Sequence, residues 1–213
     1  MEKSARNGPS PSVAILDYGL GNVRSVLNAL TLMGVVAHIT GDPAQIAAAT
    51  HLILPGVGSF VQGMEGLEKG GLLPVLQEEI MKKKKPILGI CLGMQLFATE
   101  GFEHGHTAGL NFISGKAIKL EVKDTVRLPH IGWNDVRMSG THVIGRGFDH
   151  QSAFYFVHSY HLVPNDPGVI AGVCEYGQTF AALVEKGNIF GAQFHPEKSH
   201  DGGIRIFSNF LGL

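Results

Sequence analysis

Apolar positions in the first half of the chain follow two alternating rhythms. The first is the short unbroken run. Val13–Asp17 (VAILD) ends in the turn-rich YGLG, and its length and bounding glycines predict a buried strand. The second is helical spacing. Val23, Val26, Leu27, Leu30 and Met33 recur on one helical face, with Asn22 placed to cap the helix and Gly34 to stop it. The same alternation predicts strands at Val35–Ile39, Leu52–Leu54 and Pro86–Ile90, with helices at Pro43–Ala49, Leu72–Lys85 and Leu92–Thr99. Repetition of this kind implies a parallel sheet covered by helices on both faces.

The second half changes character. Lys116–Leu120, Asp135–Met138, Ala153–His158, Gly168–Glu175 and Thr179–Val184 are short runs separated by Gly, Pro, Asn and Asp, the pattern of antiparallel strands and hairpins. Asn188–Phe194 predicts a last buried strand and Gly203–Phe210 a closing helix. There is no internal repeat, low-complexity segment or linker. Residues 13–213 therefore read as one α/β domain with a mixed, mostly parallel sheet flanked by helices and antiparallel strands in its second half. Residues 1–12 read as a disordered lead-in.

Composition narrows the function classes. The chain has 213 residues, 44% hydrophobic and 16% charged, with 29 glycines, which suits a compact, turn-rich domain. Its net charge of −1, with no basic stripe interleaved with aromatics, makes nucleic acid a poor partner. The one dense charge block, Lys82–Lys85, reads as the solvated end of a helix whose dipole it complements. Two cysteines, Cys91 and Cys174, cannot build a disulfide framework, and no apolar run reaches the roughly 18–20 residues a membrane span needs. MEKSARNGPSP lacks a signal peptide's apolar stretch, so a reducing cytoplasm is the expected home.

Three motifs carry the candidate chemistry, and each follows a strand. Gly89-Ile90-Cys91-Leu92-Gly93 joins a strand to a helix, so Cys91 is expected on a strained turn that lifts its sulfur clear of the sheet edge. A helix N-terminus there would favour the thiolate, and the Leu92 N–H could stabilise an oxyanion. Gln193-Phe194-His195-Pro196-Glu197 places a carboxylate two residues after a histidine, able to orient one ring nitrogen and leave the other for Cys91. Pro55-Gly56-Val57-Gly58-Ser59-Phe60 could offer a second oxyanion donor, the N–H of Val57. Their shared position at the carboxyl edge, where open α/β sheets bind ligands, is the main argument. Cys174, inside an apolar strand, reads as structural. Gly19-Leu20-Gly21-Asn22-Val23-Arg24 lacks the third glycine of a dinucleotide site, and His104 and His106 lack the spaced partners of a metal site, so neither a cofactor nor a metal is expected.

With these residues in view, the chain resembles the class I (triad) glutamine amidotransferases. GICLGMQ at Gly89–Gln95, PGVGSF at Pro55–Phe60 and HPEKS at His195–Ser199 are similar to that family's three signatures, and the likeness runs from Val13 to Leu213. It implies a glutaminase in which Cys91 attacks the carboxamide of L-glutamine, His195 protonates the departing ammonia, and Glu197 holds His195. Gly56 and Val57 then belong to the oxyanion loop. Gly58, Leu92, Gln95, Ser159 and Tyr160 match positions that hold glutamine, Gln95 by its side chain. DYGLGN at Asp17–Asn22, LPHIGWN at Leu128–Asn134 and FVHSY at Phe156–Tyr160 resemble the branch serving histidine biosynthesis. There a (β/α)8 synthase subunit uses the ammonia to make imidazole glycerol phosphate and an aminoimidazole carboxamide ribotide. Asn22, Trp133, Tyr155 and Lys198 match interface positions of such a heterodimer, and His158 has no catalytic role in that pattern. Glutaminase subunits for anthranilate, aminodeoxychorismate or GMP synthesis, a non-catalytic binding subunit and a free-standing thiol hydrolase are the rival readings.

Overall fold

The structure, a computed structural model, describes residues 11–122, 126–148 and 151–213, with the side chain of Gln151 outside the description. Residues 1–10 of the expected lead-in fall outside it, and Ser12 already belongs to the first strand. The first half alternates strands and helices, with one helix, α3, beyond those expected: β1 (Ser12–Leu16), α1 (Val23–Leu32), β2 (Val36–Thr40), α2 (Pro43–Ala48), β3 (His51–Gly56), α3 (Phe60–Lys69), α4 (Leu72–Leu76), β4 (Ile87–Cys91) and α5 (Leu92–Gln95). Two short strands, β5 (Glu100–Gly101) and β6 (Thr107–Ala108), precede β7 (Gly115–Lys119), β8 (His130–Met138), β9 (Gln151–His158) and β10 (Tyr160–Pro164). β11 (Ile170–Tyr176), β12 (Gln178–Lys186), β13 (Ile189–Ala192) and α6 (His200–Leu211) complete the chain.

Nine strands form the main sheet in the order β2-β1-β3-β4-β13-β12-β11-β8-β9. The first five are mutually parallel and the remainder antiparallel, so the expected mixed sheet is observed. Alternation along the buried strands sends side chains to two cores. Ala14, Leu16, Leu52 and Leu54 pack with α2 to α5, whereas Val13, Ile15, Ile53 and Ile90 pack with α1 and α6. A second sheet, β10-β7-β5-β6, is built from segments far apart in sequence and was not anticipated.

Several elements differ from their expected bounds, each for a local reason. The helix expected over Leu92–Thr99 stops at Gln95, because the Phe97 carbonyl accepts from Phe112 and Ile113 and the next residues are drawn toward the small sheet. α3 was not anticipated. Its N-terminus is fixed by a reciprocal capping box between Ser59 and Gln62. The stretch after α4 continues as a π-helical turn, Gln77–Lys82, rather than a regular helix to Lys85. That turn presents buried Glu79 to Lys83 and Lys85, both at 2.8 Å. Lys85 also donates to the carbonyls of Ile46 and Ala47 at the end of α2. The expected solvated lysine cluster therefore holds for Lys82 but not for Lys85, whose side chain is 11% exposed.

Candidate active site

Parallel strands end at one edge, and the register there is close. Gly56, the last residue of β3, pairs directly with Cys91, the last residue of β4, while Ala192 of β13 pairs with Ile90. Cys91 adopts φ 54° and ψ −109°, a region that a residue with a Cβ rarely occupies. The flanking glycines make this turn possible. A Cβ on Gly89 would lie 2.7 Å from the backbone of Gly93 and Met94, and one on Gly93 would collide with the Leu54 carbonyl. The sulfur is nearly buried, 3.8 Å from both the Val157 carbonyl and Gln193 Nε2. α5, which follows Cys91, is a single turn, so little helix dipole is aligned on the sulfur.

His195 supplies the nearer positive field. Its backbone N–H donates to Tyr155 O at 2.9 Å and its carbonyl accepts from Ser199 Oγ at 2.7 Å, which fixes the turn. The ring is buried, and Nδ1 lies 2.8 Å from Glu197 Oε1, itself on a buried side chain. Burial opposes a charge on the ring, but the neighbouring Cys91 thiolate and Glu197 carboxylate outweigh it and raise the pKa to about 10. Nδ1 is taken by Glu197, so Nε2 is the ring atom left for the Cys91 sulfur and the substrate. The orienting geometry expected of Glu197 is thus present.

A cleft of about 280 Å³ opens over the sulfur, lined by Val57, Gly58, Cys91, Leu92, Gln95, Ser159 and Tyr160 among others. Of the expected glutamine-pocket residues, Gly56 alone lies behind the cleft, packed against Tyr18 and Leu92. The Tyr18 hydroxyl donates to Pro55 O at 2.9 Å and Gly21 closes on the same carbonyl, so the DYGLGN segment packs against the start of the Pro55–Phe60 loop. Gln95 Nε2 donates to Tyr160 O at 2.7 Å and to Gln193 Oε1 at 3.1 Å, leaving Oε1 as the side chain's free acceptor. Glu103 also lines the cleft, its Oε2 accepting from the Phe60 N–H at 2.9 Å. Nothing around Glu103 in the sequence marks it, since it lies in a glycine-rich loop that joins the cleft only through tertiary folding.

The remaining candidates separate cleanly. Trp133, half exposed, stacks on His200 at 5.1 Å and meets Tyr155 edge-on, and Lys198 sits 5.5 Å over the Tyr155 ring. Trp133, Tyr155 and Lys198 thus cluster together, while Asn22 caps α1, the helix that packs on the Pro196–Lys198 turn. Cys174 is buried and its thiol is pushed up to about 12, first by burial, as a structural cysteine should be. His106 pairs with Glu100 at 2.9 Å, and among the described residues no group of three or more His, Cys, Asp or Glu is placed to hold a metal. No described helix is long and apolar enough to cross a membrane.

A thiol on a strained turn, a buried histidine–carboxylate pair and a cleft shared with a glycine loop define a thiol amidase built on a mixed α/β sheet. Residues 14–212 match the family described as Glutamine amidotransferase class-I, and the chain belongs to that family. Among curated proteins it is 46% identical over 201 residues to imidazole glycerol phosphate synthase subunit HisH 2 of Pseudomonas aeruginosa, covering 94% of this chain and 99% of that one. It is 45% identical over 199 residues to the HisH 2 subunit of Methanococcus maripaludis, covering 93% and 98%. The solved structure of PurLQS from Thermotoga maritima superposes with a TM-score of 0.74 at 18% identity, covering 96% of this chain and 99% of that one, a likeness of fold alone.

Proposed function

We propose that this chain is the glutaminase subunit of imidazole glycerol phosphate synthase, hydrolysing L-glutamine and passing the ammonia to a (β/α)8 synthase subunit in histidine biosynthesis. The observation that carries the chemistry is Cys91 at φ 54° beside the buried His195–Glu197 pair. The near full-length identity to HisH subunits supports the pathway.

The Cys91 thiolate attacks the carboxamide carbon, and the N–H of Leu92 and that of Val57 receive the developing oxyanion. His195, held protonated by its neighbours, gives its Nε2 proton to the leaving nitrogen, and ammonia departs. Water, activated by the now neutral ring, then splits the thioester to glutamate and regenerates the thiolate. Glu197 keeps the imidazole oriented through both steps. At the amino-acid end, Gln95 Oε1 and the Glu103 carboxylate receive the α-ammonium, and backbone groups of Gly58, Ser159 and Tyr160 line the pocket.

Ammonia in neutral water is mostly protonated and no longer nucleophilic, so a synthase must receive it through a closed path. Asn22, Trp133, Tyr155 and Lys198 form the docking face for that subunit. The cytoplasm is the working location, because Cys91 must stay a reduced thiol. Glutamate release with and without the barrel subunit and its nucleotide ligand tests the reading. Stimulation by the partner, abolished in Cys91→Ala, is expected. Partner-independent release would keep the chemistry and discard the pathway, and no release under any condition would discard both.

A further inference from the structure

Three buried histidines lie outside the triad, His130, His158 and His161; His158 lines the cleft and forms a directed chain with His130. β9 ends at His158 in the main sheet, and β10 begins at Tyr160 in the small one, so Ser159 is a corner between two sheets and a wall of the cleft. The His158 side chain spans that corner, with Nδ1 2.9 Å from Tyr160 O. Its Nε2 lies 3.1 Å from His130 Nδ1, and His130 Nε2 lies 3.3 Å from Asn134 Nδ2. Asn134 Nδ2 also donates to Glu175 O at 3.0 Å.

The proton positions follow from the ends. A carbonyl can only accept, so His158 Nδ1 carries the hydrogen and its Nε2 accepts when the ring is neutral. His130 must then donate from Nδ1 and accept from Asn134 at Nε2. Burial keeps both rings neutral, lowering His158 to about 3 and His130 to about 4. His130 is held flat between Phe156 at 4.7 Å and Tyr176 at 3.9 Å, so the chain has little freedom to turn. The Tyr160 carbonyl at its inner end is also the acceptor for Gln95 Nε2 at 2.7 Å.

We propose that the Asn134–His130–His158 chain is a positioning relay that fixes the Ser159 corner and the Gln95 amide, and so sets glutamine affinity without touching the reacting atoms. The assignment rests on the glutaminase reading above. Two sides of the pocket depend on one carbonyl, Tyr160 O, and two donors share it. Removing His130 takes away the donor that fixes the His158 tautomer and, with it, the His158 hydrogen bond to Tyr160 O. The corner is then left to its backbone bonds, the Leu120 N–H to Ser159 O at 2.9 Å among them, and Gln95 keeps Gln193 but faces a less firmly fixed Tyr160 carbonyl. Such contacts act equally on bound substrate and transition state, so their loss raises KM and leaves kcat nearly unchanged.

The test uses His130→Phe, which keeps a ring between Phe156 and Tyr176 and removes both nitrogens. In the complex with the barrel subunit, glutamate release measured against glutamine concentration should show KM up about tenfold, as for one buried hydrogen bond, with kcat within about twofold. An unchanged KM, or a fall in kcat alone, overturns the relay. Should the variant fail to fold, imidazole ¹⁵N spectra of the wild-type full chain decide instead. Both rings must carry hydrogen on Nδ1, and an Nε2–H form of His158 sinks the proposal. A wild-type complex that releases no glutamate would remove the glutaminase reading and the positioning role with it, while the same spectra would still report whether the hydrogen-bond chain exists.

Discussion

Cys91 and Glu197 together set the charge of His195. The ring is raised because burial, which lowers it, is outweighed by the adjacent thiolate and by Glu197. Replacing Cys91 with alanine removes the thiolate and leaves Glu197 in place. His195 is therefore expected to titrate at lower pH in Cys91→Ala than in the wild type, as read from its imidazole proton shifts. An unmoved titration would mean that Glu197 alone holds the ring charged. Both residues were legible in the sequence because glycines at 89 and 93 flank one and a carboxylate at i+2 follows the other. Glu103 was not legible. A lone acid in GFEHGH carries no local mark, and only the fold brings it against Phe60 and the cleft.

Elements defined by long apolar runs were foreseen with errors of a few residues at their ends. α3, whose apolar stripe is thinned by a glycine, was not. α3 buries Phe60, Gly63 and Leu67, so one position of its apolar stripe has no side chain to register, and the capping box at Ser59 and Gln62 was the remaining signal. β10 and the small sheet escaped for another reason, since β5 and β6 are two residues each and β10 joins β7 only by pairing across more than forty residues. The π turn after α4 was equally hidden, because helical spacing of apolar residues does not distinguish a π turn from a regular one. Glu79 is buried, and although burial disfavours its charge, Lys83 and Lys85 hold its carboxyl below the usual carboxylate range. Glu79→Ala should cost about 3 kcal/mol, the low end for breaking a buried pair, because Lys85 keeps two carbonyl acceptors on α2. Urea unfolding checks this, and a loss below about 1 kcal/mol would show the pair to behave as an exposed one.

Across the whole molecule, buried histidines of opposite tendency bracket the pH of greatest stability. His130, His158 and His161 are lowered to about 4, 3 and 4, chiefly by burial. In each case the unfolded chain binds a proton that the fold refuses, so their contribution is complete above about 6.5 and is lost as pH falls toward 4. His195 has the reverse sign. Raised to about 10, it contributes fully below about 6.5 and loses that contribution as pH rises toward its folded value. Unfolding free energy should therefore peak near neutrality and fall on both sides. Close to neutrality the acid limb is the steeper, since three histidines act there against His195, which Cys174 and then Tyr18 join only above about 9, each group worth about 1.4 kcal/mol per pH unit. His161→Phe isolates one of them. His161 lies outside the triad and the relay, its Nε2 facing Gln178 at 3.2 Å and its Nδ1 unpartnered among the described residues. The variant should lessen the slope of stability against pH between about 6 and 4 by about 1.4 kcal/mol per unit, whatever its effect on the absolute value. Urea midpoints taken across that range give the slope directly. An unaltered slope would mean that the folded chain already admits a proton at His161, and the acid limb would then belong to carboxylates such as Glu79.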